Sequence, residues 1–593
     1  MKNKKRENRK GAGPPAAALP SPQSQWQYFA LGSFLAGIVM LWAYWPSMNG
    51  PFLFDDNFLP FAVSNISTQP LSAFLHGQRP LLMATYWLSA RLSPNDTSWF
   101  HGLNVLIHCV TTVLVFFIVR RLLEWGNIGE SRRGLLAGFA AALFLLHPAQ
   151  TEAVSYVAGR SDALSVMLAF AAFAVFLYRP EEAAGWTTAI AVLVLFGAAL
   201  LAKEDTIALP ALLLLTDLWW SRGGWSGGRW SKVSPWESVR RNWKIYLPMF
   251  AAALAGVALF WNLITHATTA GFGFKEFTWY QYFFTEWRAI FVYLGTFLWP
   301  ANLTLDWDFP ISHTVLEHGA IFWLVILAAL IAAAWMFRRR FPLAAYGFFV
   351  FLILLAPTSS ILPIKDPVAE RRLYFAMLGL LLIAVDLLSR LKIERQALAA
   401  VALVLVLLAG FATHARAGVW SDEISIWEDT ARKSPDAWRP HFQLAFAYYK
   451  AQRYDLALQQ FGQAAQLHPS DPDLLLDWGL TYDSLNQLLP ALEKLEQSAT
   501  LHPTAHVYSQ IGMVYGKLEN WPEALAALGK AQQLDATFPD TYVYLGKVHF
   551  KTNQLMAALQ DYQRALQLDP NNSDARHDLQ AVVNQIRANS PNK

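Results

Sequence analysis

Two adjacent carboxylates, Asp55 and Asp56, follow the apolar stretch Gly50-Pro51-Phe52-Leu53-Phe54. Neighbouring acids repel, and partial burial lifts at least one carboxyl pKa, which suits a general base that takes a proton from an incoming hydroxyl. The same residues could instead cap a turn through Asp55 or Asn57. Charged side chains recur in other short polar segments: Arg79-Pro80, Gly159-Arg160-Ser161-Asp162, Lys203-Glu204-Asp205 and Glu370-Arg371-Arg372-Leu373-Tyr374. Arginine offers a planar fork to phosphate and lysine a point charge. Arg79, Arg160, Lys203, Arg371 and Arg372 could therefore hold an anion together; pairing with Asp162, Glu204 and Glu370 is the alternative. His101, Asn104 and His108 fall at i, i+3 and i+7, on one helix face. Two such histidines could bind a metal, whereas a polar stripe facing a bundle interior needs only hydrogen-bond partners. His147-Pro148 reads as a helix stop leading into Thr151-Glu152. There is no Walker loop, GxSxG or GxGxxG in a strand–helix setting, so nucleotide hydrolysis and serine-hydrolase chemistry have no support.

The elements that must position these residues are hydrophobic. Of 593 residues, 54% are hydrophobic and 15% charged, against about 25% charged in soluble domains. Mean hydropathy is only +0.25, so a water-loving part dilutes a membrane part. A single cysteine excludes an intrachain disulfide, and a net charge of +4 is too weak for a nucleic-acid partner. Residues 1–25 read as a disordered basic tail. Apolar stretches of spanning character lie near 26–47, 101–123, 134–147, 161–178, 186–202, 205–220, 244–264, 319–337, 343–361, 373–389 and 396–413.

Basic clusters tend to stay in the cytoplasm. With the tail inside, Arg120, Arg121, Arg132, Arg133, the 222–244 loop, Arg338 to Arg340, Arg390, Lys392 and Arg395 also fall inside, provided 277–299 does not cross. That stretch carries Glu286 and Arg288 at its centre, each costing roughly 2.5–3.5 kcal/mol at mid-bilayer, and reads as a helix at the outer face. Eleven crossings then place the N-terminus inside and everything after 414 outside. Asp55, Asp56 and the mixed acid–base segments share that outer side, at the depth of a lipid-linked phosphate. The sequons at Asn65 and Asn95 would lie there too.

Beyond Trp420 the composition turns polar, and a repeat emerges. Leu467, Leu501, Leu534 and Leu568 close successive units; Ala445, Gly479, Gly512 and Gly546 run in register, as do Phe461, Leu495, Leu528 and Tyr562. Small residues let paired helices approach, and the larger ones fill the space between units. Four units near 437–470, 471–503, 504–537 and 538–571 resemble tetratricopeptide repeats, with a preceding helix and a polar capping helix at 575–589. The expected fold is all-α: a polytopic helical bundle over 26–415 and an α-solenoid over 419–593.

Taken in order, Phe54-Asp55-Asp56, Arg79-Pro80-Leu81, His101-Gly102-Leu103-Asn104 with His108, His147-Pro148 through Val154, Gly159-Arg160, Lys203-Glu204 and Glu370 through Tyr374 resemble the transmembrane and tetratricopeptide-repeat O-mannosyltransferase-like family. That family belongs to the GT-C glycosyltransferases. The resemblance implies a polyprenyl-phosphate-linked sugar donor, with mannose as the sugar, and a Ser/Thr acceptor on an exported protein held by the repeats. It implies Asp55 and Asp56 at the catalytic centre. Arg79, Arg160, Lys203, Glu204, Glu370, Arg371, Arg372 and Tyr374 would contact the donor, with His101, Asn104, His108, His147 and Glu152 as polar support. No cofactor is required; a divalent metal is compatible. The short basic tail points to a bacterial inner-membrane protein with periplasmic repeats. Where family members continue with a Tyr-Leu-Tyr-like run, this chain reads Arg371-Arg372-Leu373-Tyr374-Phe375. An O-oligosaccharide ligase or another lipid-linked glycan transferase, and a non-catalytic repeat scaffold, are the competing readings.

Overall fold

A computed structural model describes residues 22–59, 69–93, 96–220, 225–226, 229–230, 235–266 and 270–589. Most of the expected tail, the two sequons and part of the 222–244 loop lie outside these residues. Among the described residues the regular structure is helical apart from a short antiparallel ribbon, Trp225–Ser226 with Arg229–Trp230, and an isolated bridge between Ala270 and Ile364.

The hydrophobic part begins with α1 (Pro22–Tyr44), so its first residues belong to a helix and not to the expected tail; proline at the first turn forfeits no intrahelical bond. There follow α2 (Pro80–Leu92), α3 (Ser98–Trp125), α4 (Glu130–Leu146), α5 (Thr151–Ser155) and α6 (Arg160–Leu177). Next come α7 (Trp186–Ala202), α8 (Leu209–Trp220), α9 (Pro235–Arg241), α10 (Trp243–His266) and α11 (Trp279–Leu298). The series closes with α12 (Ala320–Phe337), α13 (Pro342–Leu355), α14 (Arg372–Ser389) and α15 (Arg395–Val419).

Among the described residues, α3, α6, α12 with its turn from Glu317, α14 and α15 are long and apolar enough to cross a membrane. A sixth crossing results if α4 and the 148–155 segment, bent by 53° at His147-Pro148, count as one. Each of the eleven expected stretches coincides with a helix, but some are short. The stretch expected over 205–220 yields a 3₁₀ turn and then only 12 residues of α8, roughly 18 Å of rise. The 3₁₀ turn opens at Glu204, paired with Arg79, just after Lys203, paired with Asp162, and α8 then begins at Leu209-Pro210.

Burial separates the centre from the rim. The apolar windows of α6 and α14 are 72% buried and that of α12 only 11%; α12 offers Phe322 and Val325 outward, as a lipid-facing helix must. The tightest crossing joins α13 to α14. A Cβ added to Gly379 would sit 2.4 Å from the carbonyl oxygen of Gly347 and from the backbone nitrogen of Phe351. Small residues of this kind let helix backbones touch.

The polar part starts with α16 (Glu423–Lys433) and continues as four antiparallel helix pairs. These are α17 (Trp438–Lys450) with α18 (Tyr454–Leu467), α19 (Pro472–Ser484) with α20 (Leu488–Leu501), α21 (Ala505–Lys517) with α22 (Trp521–Leu534), and α23 (Pro539–Lys551) with α24 (Leu555–Leu568). The capping helix α25 (Ser573–Asn589) closes the stack. Within every pair the turn passes through one left-handed residue: Gln452, Asn486, Glu519 and Asn553. The residue after it donates back to Tyr448, Tyr482, Tyr515 or His549, which satisfies a carbonyl left over at the helix end.

Gly379→Ala therefore overpacks the α13–α14 crossing at a cost of about 1–3 kcal/mol, whereas Gly197→Ala in α7, with nothing within 4 Å of the added carbon, does not. Thermal unfolding of the two purified variants in detergent checks this. Equal melting midpoints would refute the crossing's role.

Candidate active site

The segment Phe54–Phe58 is a short 3₁₀ turn, and it separates its two aspartates. The Asp56 side chain points inward and is 1% exposed. Its Oδ2 accepts from the backbone N–H of Leu53 at 3.0 Å, and its Oδ1 from that of Ala158 at 2.7 Å. Burial pushes the Asp56 carboxyl up to about 8, against the pull of those two donors. Asp55 points outward and is exposed. Its own N–H donates to the Tyr156 hydroxyl at 2.8 Å. One carboxylate braces the loop; the other is presented by it.

The brace reaches the 154–160 turn, which is held from below. Asn104 donates to the carbonyls of Val154 and Tyr156 and accepts from Arg160 Nε at 2.8 Å. The remaining Arg160 donors go to the Thr85 and Phe100 carbonyls and to Ser89 Oγ, while the Tyr86 ring lies 4.6 Å below the guanidinium. Arg160 is 0% exposed, so it fastens α2, α3 and α6 together and faces no opening.

The other expected donor-binding residues divide in the same way. Glu370 is buried and accepts from the Thr304 N–H. Its second oxygen has no partner among the described residues, and burial raises its carboxyl to about 8. Arg372 is spent on the carbonyls of Asp366 and Pro367. The Tyr374 hydroxyl meets His108 Nδ1 at 2.9 Å. Because His108 Nε2 faces the Leu145 carbonyl, Nε2 carries the proton and Nδ1 accepts from the tyrosine. His101 Nε2 donates to Gly50 and His147 Nε2 to Phe297. These histidines serve the bundle interior, and among the described residues no three His, Cys, Asp or Glu side chains converge as metal ligands.

Three of the expected cations, Arg371, Lys203 and Arg79, keep part of their surface. The Arg371 guanidinium and backbone N–H both bind the buried carboxylate of Glu152, and its side chain stays 26% exposed. Lys203 pairs with Asp162 at 2.5 Å and with Asp205 at 3.5 Å. Arg79, in the left-handed region at φ 56°, forms a two-pronged pair with Glu204. The Tyr156 hydroxyl lies in the fields of Asp55, Asp56 and Arg371, and Arg371 in those of Glu152, Asp162 and Asp366. An exposed carboxylate and an oriented tyrosine therefore lie near Arg371, and Asp162 connects Arg371 to Lys203, which it binds. That set can take a proton from a hydroxyl and steady a departing anion.

Several contributors carry no local sequence signal. Tyr156 is a lone tyrosine in an apolar turn. Asp306 and Asp366 sit in the loops after α11 and α13, and both bind Arg439 of α17, at 2.5 and 2.7 Å. Acidic residues in loops between apolar stretches were the available hint. The Phe54 ring packs 5.7 Å from Trp427 of α16, and the Arg439 guanidinium 5.7 Å from Phe54. Leu53, Tyr156, Trp420 and Trp427 share one hydrophobic core.

A tetratricopeptide-repeat family model matches residues 424–504, and a second one 539–572. Over 563 residues the chain is 23% identical to protein O-mannosyl-transferase TMTC3 of Mus musculus, covering 86% of this chain and 59% of that protein. It is 30% identical over 293 residues to protein O-mannosyl-transferase Tmtc1 of Drosophila melanogaster, covering 44% and 33%. Human TMTC1 matches at 24% over 449 residues, covering 68% and 50%. In each case the chain spans less than two thirds of the relative's length. Among solved structures, MamA 41-end from Desulfovibrio magneticus RS-1 aligns at 20% identity and a TM-score of 0.24, over 25% of this chain and 85% of that one.

Asp56 and Glu370 both have carboxyls raised by burial. The stability each contributes is present below the unfolded carboxylate range and is lost as pH rises through about 8. The melting midpoint in detergent is expected to fall from about pH 6 to about pH 9, and Glu370→Gln to flatten that slope. A midpoint that rises over this range would contradict both assignments.

Proposed function

We propose, from the chain's membership of the TMTC-like family, that it is a membrane glycosyltransferase that moves mannose from a polyprenyl-phosphate donor to Ser or Thr hydroxyls of exported proteins. The observation that carries this reading is the division of labour at 55–56: an exposed carboxylate held on a rim by a buried one, over a tyrosine that also lies in the field of Arg371. Eleven crossings with a cytoplasmic N-terminus would bring Asp55 and the repeats to the same outer face, and the bundle would be of the GT-C type.

The donor's prenyl tail stays in lipid and its phosphate meets Arg371 and Lys203, with Arg79 at the margin. Asp55 takes the proton of the acceptor hydroxyl as that oxygen attacks the anomeric carbon. The new C–O bond forms while the bond from that carbon to the phosphate oxygen breaks, and polyprenyl phosphate leaves with the electron pair. One in-line displacement inverts the anomeric configuration. The cations stabilise negative charge growing on the leaving phosphate, which in such sites is often the largest contribution to rate. Asp56, Glu152 and Asn104 act by positioning.

Asp55→Asn is expected to lower transfer about 10²–10⁴-fold with an unchanged melting midpoint. Asp56→Asn places an N–H₂ against a backbone donor and is expected to lower the midpoint as well. Membranes supplied with polyprenyl-phosphate mannose and a Ser/Thr peptide, read by the mass gain of one hexose, test this. Full transfer by Asp55→Asn would remove Asp55 as the base, and gain of a multi-sugar chain would favour the ligase.

A further inference from the structure

Where the loops after α11 and α13 meet the first helix pair of the repeats, a cleft of about 400 Å³ opens. The loop after α11 supplies one wall with Trp307 and Phe309, and α17 supplies the other with Trp438 and Arg439. Flat rings on both sides suit a guest with an extended backbone and small side chains.

Charge narrows the guest further. Four carboxylates and two cations, Lys365 and Arg439, line the cleft. Arg439 is already committed to Asp306 and Asp366, while Asp308 and Glu276 stand exposed. The lining is net negative. A phosphate-bearing lipid donor is an anion and is disfavoured there, so the cleft fits the other side of the reaction. It also leads to the right place: the Arg439 guanidinium that floors it lies 5.7 Å from the ring of Phe54, the residue before Asp55.

We propose that this cleft seats the acceptor polypeptide as an extended segment leading to Asp55, and that its negative lining selects hydroxyls flanked by Lys or Arg; the inference rests on the transferase reading above. The repeats thereby act in selection through α17, at the catalytic loop itself, and not only through a distant surface.

The test uses the full chain in membranes with polyprenyl-phosphate mannose and two peptides that share one Ser/Thr centre but carry Lys or Glu flanks. The Lys-flanked peptide is expected to have a KM about tenfold lower, a gap that narrows with added salt. The double substitution Asp308→Lys with Glu276→Lys, at exposed positions, is expected to abolish or invert the order, with the change carried by KM. Equal KM values in the unsubstituted protein, or a preference that survives charge reversal, would overturn the proposal. If Asp55→Asn still transfers at full rate, the catalytic assignment fails while the KM order continues to report on the cleft. If the unsubstituted protein modifies neither peptide, the transferase reading falls and the cleft proposal with it.

Discussion

One buried carboxylate joins two segments that lie far apart in the chain. Asp56 accepts from Leu53 on its own turn and from Ala158, 102 residues later. Taking an ionised carboxyl out of water is costly, and the two backbone N–H groups offset only part of that cost, so the Asp56 carboxyl stays raised to about 8. The consequences spread outward from this contact. Tyr156 is brought under Asp55, Asn104 and Arg160 lock the far side of the same turn, and the exposed aspartate is left with a defined direction. Without the brace, Asp55 would be one charge on a mobile loop.

Burial sorts the charged residues more sharply than position along the chain does. Arg160 and Arg372 carry the same fork as Arg371, yet both are buried: the Arg160 donors end on carbonyls, an amide and hydroxyls, and Arg372 on two carbonyls and a hydroxyl, with the buried Glu286 at 3.8 Å. Such side chains fasten helices in a setting where water cannot satisfy the backbone. Arg371 and Lys203 keep part of their surface and pair with carboxylates, Glu152 and Asp162, that are themselves buried. A cation held by a sunken anion is oriented but not fully neutralised toward solvent, which is what an incoming phosphate requires.

Much of this was legible from residue order, and the remainder failed for identifiable reasons. The repeats were readable because every unit must bury the same stripe, so Gly479, Gly512 and Gly546 recur opposite Leu495, Leu528 and Tyr562. Apolar stretches were readable as helices, but their lengths were not: a 3₁₀ turn over Glu204–Ala208 precedes α8. The chemical types at the site were readable because charged residues between apolar helices need a reason to be there. Partners were not. Glu370 precedes Arg371 in sequence, yet Arg371 turns to Glu152, 219 residues away. Lys203 with Asp162 and Arg79 with Glu204 follow the simpler pairing alternative. Asp306, Asp366 and Arg439 form a joint between two parts of the chain, and no periodicity announces a joint.

The backbone of Phe54 is left-handed, at φ 44°, a conformation that disfavours a bulky residue. It is held by what surrounds the ring: Trp427 from α16 and Arg439 from α17. The opening of the repeat array is therefore a splint as well as a reach: replacing α16 or α17 would release the turn that carries Asp55. The core they share with Leu53 runs on to Leu474 of α19, so a load on the first repeats is felt at the turn on which the chemistry leans.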